Sequence, residues 1–283
     1  MNLLIILFYL FYISKMEYMK KKNIGMTPSI RKKSYDVIEK AVSNIKFKGR
    51  KVVFVGISGG MASGKTKISQ YFHKYIERSA TICELSFFSP NEKNRIVDKT
   101  DEEIIEDYDK YNRNRRLFLI DICNPNSYDY DKFYETLKNL SEGKKVRIPY
   151  FDDEQCTFIP EKDNYIDPSK TPLIIIDGYF IFREQKIRDL LNLKIFKEVE
   201  EDVRLSRLIL REEKYLNKDK KAYRMYFKIY EKFYKISYEE NINTYKKMAN
   251  ILLPDYSIRE DNQLEGDETL ELILKNLNYL SRR

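Results

Sequence analysis

The fold of this chain is decided by Gly59-Gly60-Met61-Ala62-Ser63-Gly64-Lys65-Thr66. The run fits the phosphate-binding pattern Gly-x4-Gly-Lys-Ser/Thr, and it stands between an apolar strand, Val52–Ile57, and a helical pattern, Lys65–Arg78. Glycines let such a loop curl until main-chain N–H groups point at an anion, and the helix N-terminus adds partial positive charge. A chance glycine-rich turn is the alternative, and the flanking strand and helix argue against it.

Two side chains of the run have the chemistry of a nucleotide–metal site. Lys65 can reach the β- and γ-phosphates, and the Thr66 hydroxyl can ligate Mg²⁺. The predicted ATP-binding residues are the whole run: Gly59, Gly60, Met61, Ala62, Ser63, Gly64, Lys65 and Thr66. Asp177 ends an apolar strand, and such strand ends lie at the ligand-binding edge of a parallel sheet. Its carboxylate is predicted to hold Mg²⁺ with Thr66, the alternative being a helix cap or a solvent-facing acid.

Three arginines follow at helical spacing. Arg204, Arg207 and Arg211 stand at i, i+3 and i+7 of a predicted helix, so their guanidinium groups share one face. A row of planar cations suits a transferring phosphoryl group, which makes chiefly Arg207 and Arg211 candidate catalytic residues. The alternative is a solvated helix face paired with Glu200, Glu201 or Glu212.

Strands alternate with helices along the chain. The predicted strands are 51–57, 80–87, 172–178, 193–199 and 251–253, and the predicted helices are 65–78, 130–140, 201–215, 220–247 and 268–280. This order predicts an α/β fold with a mostly parallel sheet covered on both faces, and the phosphate-binding run makes it a predicted P-loop NTPase three-layer fold. The run Val146–Phe151 contains Pro149 and is predicted as an edge or hairpin strand. The charged stretch Asn91–Arg116 is predicted as a solvated helix and loop rather than a binding insert.

Length and composition set outer limits. The 283 residues suffice for one substantial core. We predict a single domain over 28–283 with its core at 51–283, and a first helix over 28–44. The net charge of +8 suits phosphates or a solvated surface, and charge alone gives no reason to expect a nucleic-acid partner. Three cysteines without metal-like spacing indicate a reducing compartment, and the single histidine, His73, argues against a histidine-based triad.

Residues 1–27 are predicted as an N-terminal extension. Residues 3–13 are almost wholly apolar but too short to span a bilayer comfortably. The lysines that follow suit a signal anchor, while a signal-peptide core and a wrongly assigned start remain equal alternatives. We therefore expect a cytoplasmic protein, with membrane contact only if residues 3–13 are retained as an anchor.

Six motifs in order resemble those of the uridine–cytidine kinases and the wider phosphoribulokinase/uridine kinase group. They span about Lys51 to Leu280: Gly56–Thr66 (GxSGGxxSGKT), Gly143–Asp152 (the GKxVxxPxYD hairpin), Ile176–Phe180 (an EGI strand end), Ile187–Phe196 (VRDLFxxKxF), Arg204–Arg211 (the lid, RLxRRxxRD) and Ala249–Pro254 (ADxIIP). The resemblance implies ATP-dependent phosphorylation of a ribonucleoside 5′-hydroxyl with Mg²⁺, a helical lid, and a small β-hairpin over the acceptor site. The implied substrate-binding residues are Phe88, Asp121, Tyr150 and Asp152.

The acceptor half departs from the family pattern. The position of the family's catalytic aspartate holds Leu85, that of its ribose-binding aspartate holds Cys123, and the second lid arginine is Leu208. Glu84 and Asp121 are the carboxylates that could replace the lost base. Because neighbouring residues of a strand point to opposite faces, Glu84 does not substitute for residue 85 automatically.

Three functions follow from these observations. The first is ATP-dependent phosphoryl transfer to a small-molecule hydroxyl, foremost a nucleoside 5′-hydroxyl, with Lys65, Asp177, Arg207, Arg211 and Glu84 as catalytic residues. The second is an ATP-binding regulatory or scaffolding protein of the same fold, and the third is a kinase for a non-nucleoside acceptor. The expected partners are ATP and a small acceptor, and a homo-oligomer is compatible with the sequence.

Overall fold

The computed structural model describes residues 40–41, 51–89, 121–152, 157–216, 220–255 and 268–282. Its strands are β1 (Val53–Gly59), β2 (Ser79–Cys83), β3 (Val146–Ile148), β4 (Phe151–Asp152), β5 (Thr157–Phe158), β6 (Asn164–Ile166), β7 (Leu173–Gly178), β8 (Leu193–Lys197) and β9 (Ile251–Leu253). Its α-helices are α1 (Lys65–Tyr75), α2 (Tyr130–Ser141), α3 (Gln185–Arg188), α4 (Glu201–Leu216), α5 (Lys220–Ile229) and α6 (Glu268–Ser281).

The main sheet has five described strands in the order β2-β7-β1-β8-β9, and every described pairing in it is parallel. The strand β1 lies at its centre, where Val55 is aligned with Ile175 on one side and with Leu193 on the other. Parallel strands that are buried on both faces are continuously apolar. The predicted α/β fold with a mostly parallel sheet is confirmed.

Helices cover both faces of this sheet. Alternate residues of β1 point to opposite sides, so that Val53 and Val55 join one buried cluster while Phe54 joins the other. The helices α1 and α6 pack on the first side through Phe72 and Leu277, and α2 packs on the second. The layers leave the carboxyl ends of the strands to the loops that follow them, which is where ligands bind in such sheets.

The region predicted as one edge or hairpin strand forms two short strands. Pro149 has no N–H group for a ladder, and it separates β3 from β4. The strand β3 pairs with β6, and β4 pairs with β5 in an antiparallel hairpin. Asp163 holds the bend between β3 and β4, because its Oδ1 accepts the Tyr150 N–H at 2.8 Å and Arg147 forms an ion pair with its Oδ2.

Two predicted elements end earlier than their sequence patterns indicate. The helix α1 stops at Tyr75 because the chain turns through Arg78, whose φ is +56°, into β2. The predicted helix 220–247 is regular only to Ile229 and continues as wide π-type turns, Tyr230–Lys235 and Tyr238–Ile242, before a 3₁₀ turn, Asn243–Met248. The first wide turn buries three bulky aromatic side chains: Tyr230, Phe233 and Tyr234.

Several predictions fall outside the described residues: the 1–27 extension with its apolar segment 3–13, nearly all of the helix 28–44, and the charged stretch 91–116. Over the part of the chain that is described, none of the helices combines the length and the hydropathy that a bilayer crossing needs. His73 contacts Ser79, with 3.0 Å between its Nδ1 and the Ser79 Oγ.

Candidate active site

The phosphate loop joins β1 directly to α1. Gly64 adopts a left-handed conformation with φ +87°, which glycine tolerates because it has no side chain to clash. The helix begins at Lys65, and the Ile68 N–H donates to the Gly64 carbonyl at 3.2 Å. The first N–H groups of a helix have no partner within the helix, so they and the helix dipole favour an anion at this loop.

The Lys65 ammonium is buried at the mouth of the loop, where the side chain is 6% exposed. Its Nζ donates to the Gly60 carbonyl at 3.4 Å and lies 3.7 Å from the centroid of the Tyr179 ring. Burial lowers the pKa of Lys65 to about 8, and nearby acidic groups, Asp177 foremost, limit the decrease. A desolvated cation of this kind interacts far more strongly with phosphate than one in water does.

Thr66 and Asp177 meet although they are far apart in sequence. The Thr66 Oγ1 donates a hydrogen bond of 2.8 Å to the Asp177 Oδ1. Asp177 is 3% exposed, and burial raises its pKa, while the bond from Thr66 and the charge of Lys65 oppose the rise. Mg²⁺ binds hydroxyl and carboxylate oxygens and takes further ligands from phosphates and water, so this donor pair fits Mg²⁺.

The position of Glu84 corrects the sequence prediction. The second strand was predicted to run to Phe87, but β2 ends at Cys83 and Glu84 starts a 3₁₀ turn, Glu84–Phe87. The chain leaves the sheet here, and the Glu84 side chain crosses to the loop after β7. The argument that residues 84 and 85 point to opposite faces of a strand therefore does not apply to them.

The Glu84 carboxylate is held at one oxygen. Its Oε2 accepts the main-chain N–H groups of Tyr179 at 2.6 Å and Phe180 at 3.0 Å, whereas its Oε1 is buried and has no hydrogen-bond partner among the residues that the structure describes. Burial raises the pKa of Glu84 to about 7, although those two N–H groups and Lys65 oppose the rise. Gly178 makes this approach feasible, because a Cβ there would lie 2.4 Å from the Glu84 Cβ.

Asp121, the other candidate base, supports a local turn. Its Oδ1 accepts the Cys123 N–H at 3.0 Å, and its carbonyl accepts the Asn124 N–H at 3.0 Å and the Ser127 hydroxyl at 2.9 Å. The residue is 7% exposed. These bonds order the segment that precedes α2. Asp121 therefore has a structural role, in addition to any contact with a substrate.

The predicted acceptor-binding residues differ in environment. Phe88 is buried and makes edge-to-face contacts with Tyr128 and Phe151, at centroid distances of 5.7 Å and 5.2 Å. Tyr150 is 41% exposed, and Asp152 is half-buried in β4. Phe88 thus packs the hairpin against the main sheet through Phe151, and the Lys162 ammonium lies 5.2 Å from the centroid of the Tyr150 ring.

The three arginines of α4 lie in three different settings. Arg204 is 2% exposed and stacks on the Tyr238 ring at 3.7 Å. Arg207 lies 3.5 Å from the Ala62 carbonyl of the loop and also binds Asp255, at 3.2 Å and 2.9 Å. The Arg211 Nε is 3.0 Å from the Glu212 Oε1, the pairing considered as the alternative role of this helix face.

The lid residue Leu208 explains one departure from the family pattern. It is fully buried in the same apolar cluster as α2, so its side chain faces the core rather than the phosphate loop. An arginine at this position would require burial of a charge, which is costly without a partner. Leucine therefore fits the packing of this chain.

Sequence reasoning missed three residues at the site: Tyr179, Lys197 and Asp255. The main chain of Tyr179 is held on both sides, by Glu84 at its N–H and by the Ser58 hydroxyl, which donates to its carbonyl at 2.9 Å. Tyr179, Lys197 and Asp255 end or follow strands of the parallel sheet. The rule that ligands gather at strand carboxyl ends was applied to Asp177 and could have included them.

A parallel sheet with a phosphate loop after its central strand, and a buried acid ending the neighbouring strand, defines the class of P-loop nucleotide-binding proteins. Within that class, the chain belongs to the Phosphoribulokinase / Uridine kinase family, whose model matches residues 54–261. Membership of this kinase family implies the use of ATP and Mg²⁺ in general terms.

Similar proteins carry kinase names. A uridine kinase of Schizosaccharomyces pombe is 28% identical over 233 residues, which cover 82% of this chain and 46% of that relative. Uridine-cytidine kinase B of Dictyostelium discoideum is 28% identical over 204 residues, covering 71% of this chain and 73% of that relative. A solved structure from Bacillus stearothermophilus, described as a possible uridine kinase, is 17% identical with a TM-score of 0.43, covering 78% of this chain and 98% of that one. Because the match covers 46% of the S. pombe relative, this chain spans less than half of that protein's length.

Proposed function

We propose that this chain transfers a phosphoryl group from ATP to a hydroxyl of a small molecule, foremost the 5′-hydroxyl of a nucleoside. The observation that carries the proposal is the hydrogen bond of 2.8 Å between Thr66 and Asp177, beside the buried Lys65. Together they form the donor set for a Mg²⁺-bound triphosphate. Glu84 Oε1, which has no hydrogen-bond partner in the described part of the chain, adds an acceptor for the hydroxyl proton.

Each residue has a distinct task in this mechanism. The loop amides and Lys65 hold the β- and γ-phosphates, and Arg207 and Arg211 stabilise negative charge that spreads over the transferred group. When bound at Thr66 and Asp177, Mg²⁺ would neutralise phosphate charge. Glu84 Oε1 would take the proton of the acceptor hydroxyl as that oxygen attacks, while Oε2 stays bound to main-chain N–H groups and keeps the carboxylate oriented.

A nucleoside acceptor is supported by the relatives named uridine kinase and uridine-cytidine kinase B. The exposed Tyr150 would contact a base, the buried Phe88 would support the hairpin behind it, and Asp121 and Asp152 would contact the ribose or the base. A protein that binds ATP without transfer is the second candidate, and the observation that favours it is Leu85 at the position of the family's catalytic aspartate. A cytoplasmic location and a homo-oligomer stay predictions.

The test uses the full chain with Mg-ATP and a panel of uridine, cytidine, other nucleosides and simple sugars or polyols. Acceptor-dependent ADP release with uridine or cytidine, together with the 5′-monophosphate as product, is expected. Saturable Mg-ATP binding without turnover on any acceptor would support the second candidate. Turnover only with a non-nucleoside would retain the kinase and replace the acceptor.

We expect the substitution Tyr179→Ile to tighten Mg-ADP and Mg-ATP binding by about 5- to 30-fold. The ring lies 3.7 Å from the Lys65 ammonium, so a phosphate that binds Lys65 would compete with it, and a desolvated cation–π contact contributes about 1–2 kcal/mol to the free form. Isothermal titration calorimetry measures the dissociation constants. Tyr179→Phe keeps the ring and should bind as the wild type does, and weaker binding by Tyr179→Ile would refute this competition.

A further inference from the structure

Asp255 joins three elements of the site. It follows β9, and its Oδ1 lies 3.3 Å from the Lys197 Nζ at the end of β8. The same carboxylate receives both ends of the Arg207 guanidinium from α4, with Nη1 to Oδ1 at 3.2 Å and Nη2 to Oδ2 at 2.9 Å. Such a two-point contact fixes the plane of a guanidinium as well as its position.

Lys197 fixes the position of the Asp255 carboxylate from the interior of the protein. Its side chain is fully buried, and its Nζ also donates to the Pro254 carbonyl at 2.7 Å. A buried ammonium is stable only beside a carboxylate and further hydrogen-bond acceptors, so this lysine restricts where Asp255 can lie. The Asp255 side chain is 24% exposed, and its position is thus set from within the molecule rather than by solvent.

The nitrogen of Arg207 that binds Asp255 Oδ1 also contacts the phosphate loop. Arg207 Nη1 lies 3.5 Å from the carbonyl of Ala62, a loop residue that has a left-handed backbone with φ +57°. The described contacts of Arg207 leave its Nε and one Nη2 hydrogen for an anion, since the guanidinium is a fixed fork of N–H donors. Asp255 therefore holds the arginine against the loop instead of turning it toward solvent.

We propose that Asp255, supported by Lys197, is the positioning residue that sets Arg207 beside the phosphate loop so that Arg207 recognises the terminal phosphate of the bound nucleotide. The inference rests on the proposed function, because it assumes that the loop binds a nucleoside triphosphate. Asp255 does not itself touch the nucleotide. It acts by fixing the direction of the arginine, which a free side chain of this length would lose to rotamer entropy.

The test measures how well the protein distinguishes a triphosphate from a diphosphate. Dissociation constants of Mg-ADP and of Mg with a non-hydrolysable ATP analogue are determined for the full-length wild type, Asp255→Asn, Arg207→Gln and the variant that combines both. We expect Asp255→Asn to lower the preference for the triphosphate by about 3- to 10-fold. Arg207→Gln should lower it at least as much, and the combined variant should lose nothing more. An unchanged or larger preference in Asp255→Asn overturns the proposal.

A second variant separates positioning from folding. Asp255→Asn leaves the Lys197 charge buried without its carboxylate and is expected to lower the thermal midpoint. Lys197→Met combined with Asp255→Asn removes that charge, so the midpoint should recover while the triphosphate preference stays low. Recovery of the preference together with the midpoint would show a purely structural role and overturn the proposal.

The two proposals fail in different ways. If the wild type binds Mg-nucleotide but transfers phosphate to no acceptor, the proposed phosphoryl transfer fails, and the binding preferences still decide the role of Asp255. If the wild type transfers phosphate but Asp255→Asn keeps its preference for the triphosphate, only the positioning role fails. A wild type that binds no Mg-nucleotide overturns both.

Discussion

Replacing Lys65 with alanine is expected to lower kcat/KM for ATP-dependent transfer by about 10²- to 10³-fold or more. The ammonium is a buried cation at the phosphate loop, and its interaction with a transferred phosphate would be strong because little water surrounds it. The measurement is steady-state ADP release with the acceptor identified from the panel, together with a titration of Mg-ADP. Both nucleotide affinity and turnover should fall.

Two controls accompany this variant. Lys67→Ala removes the same charge from an exposed position of the same helix, so it shows what the loss of one positive charge outside the loop does. Lys65→Met keeps most of the side-chain volume against Tyr179 and so limits repacking. Turnover by Lys65→Ala that stays within about tenfold of the Lys67→Ala value would contradict the assignment of the loop as the phosphate site.

Glu84→Gln is expected to lower kcat by about 10²- to 10⁴-fold and to leave the affinity for Mg-ADP close to that of the wild type. Glutamine has the same shape, and its amide oxygen can still accept the Tyr179 and Phe180 N–H groups. The variant therefore keeps the turn but loses the group that accepts a proton. Single-turnover kinetics with saturating Mg-ATP measure the chemical step.

The pH dependence provides an independent check on Glu84. Its raised pKa of about 7 means that the carboxylate, the form that acts as a base, is populated above pH 7 and lost below it. In the wild type, kcat/KM should fall about tenfold per pH unit below that value. At the alkaline side, loss of charge from Lys65, whose pKa is about 8, should lower kcat/KM again. In Glu84→Gln, this fall of kcat/KM below pH 7 should be absent.

Asp121→Asn distinguishes the two carboxylates proposed as the base. The Asp121 Oδ1 accepts the Cys123 N–H in a turn, and Asp121 is proposed to contact the acceptor rather than to take its proton. We therefore expect this variant to change KM for the acceptor more than kcat. The opposite pattern, a large fall of kcat in Asp121→Asn with little change in Glu84→Gln, would assign the base to Asp121.

Patterns along the chain determined the layers of the fold. The buried strands β1 and β7 are continuous apolar runs, and such runs alternating with amphipathic helices permit few arrangements other than a covered parallel sheet. The glycine pattern after β1 located the phosphate loop, because only that local geometry places the N–H groups around an anion. The apolar run that ends in Asp177 located the acid at the sheet edge for the same kind of reason.

Contacts between distant segments decided the chemistry around that loop. Local sequence favoured an extended conformation for Glu84, and the chain instead turned there, since the carboxylate accepts two N–H groups from the loop after β7. Lys197 would be a poor choice for a buried strand by composition, and its place is explained by Asp255 after β9. Neither partner can be recognised from spacing, because the parallel sheet brings them together only when it is assembled.

The sequence alone thus determined the strand, loop and helix that form the phosphate site, because their residues are neighbours in the chain and their periodicity is local. Only the tertiary structure decided which carboxylate lies beside the lysine, which ring covers its ammonium, and which acid holds the lid arginine. Those choices depend on buried charges, each of which needs an opposite charge, a ring or hydrogen-bonding groups beside it, and the partners come from segments that are far apart in the chain.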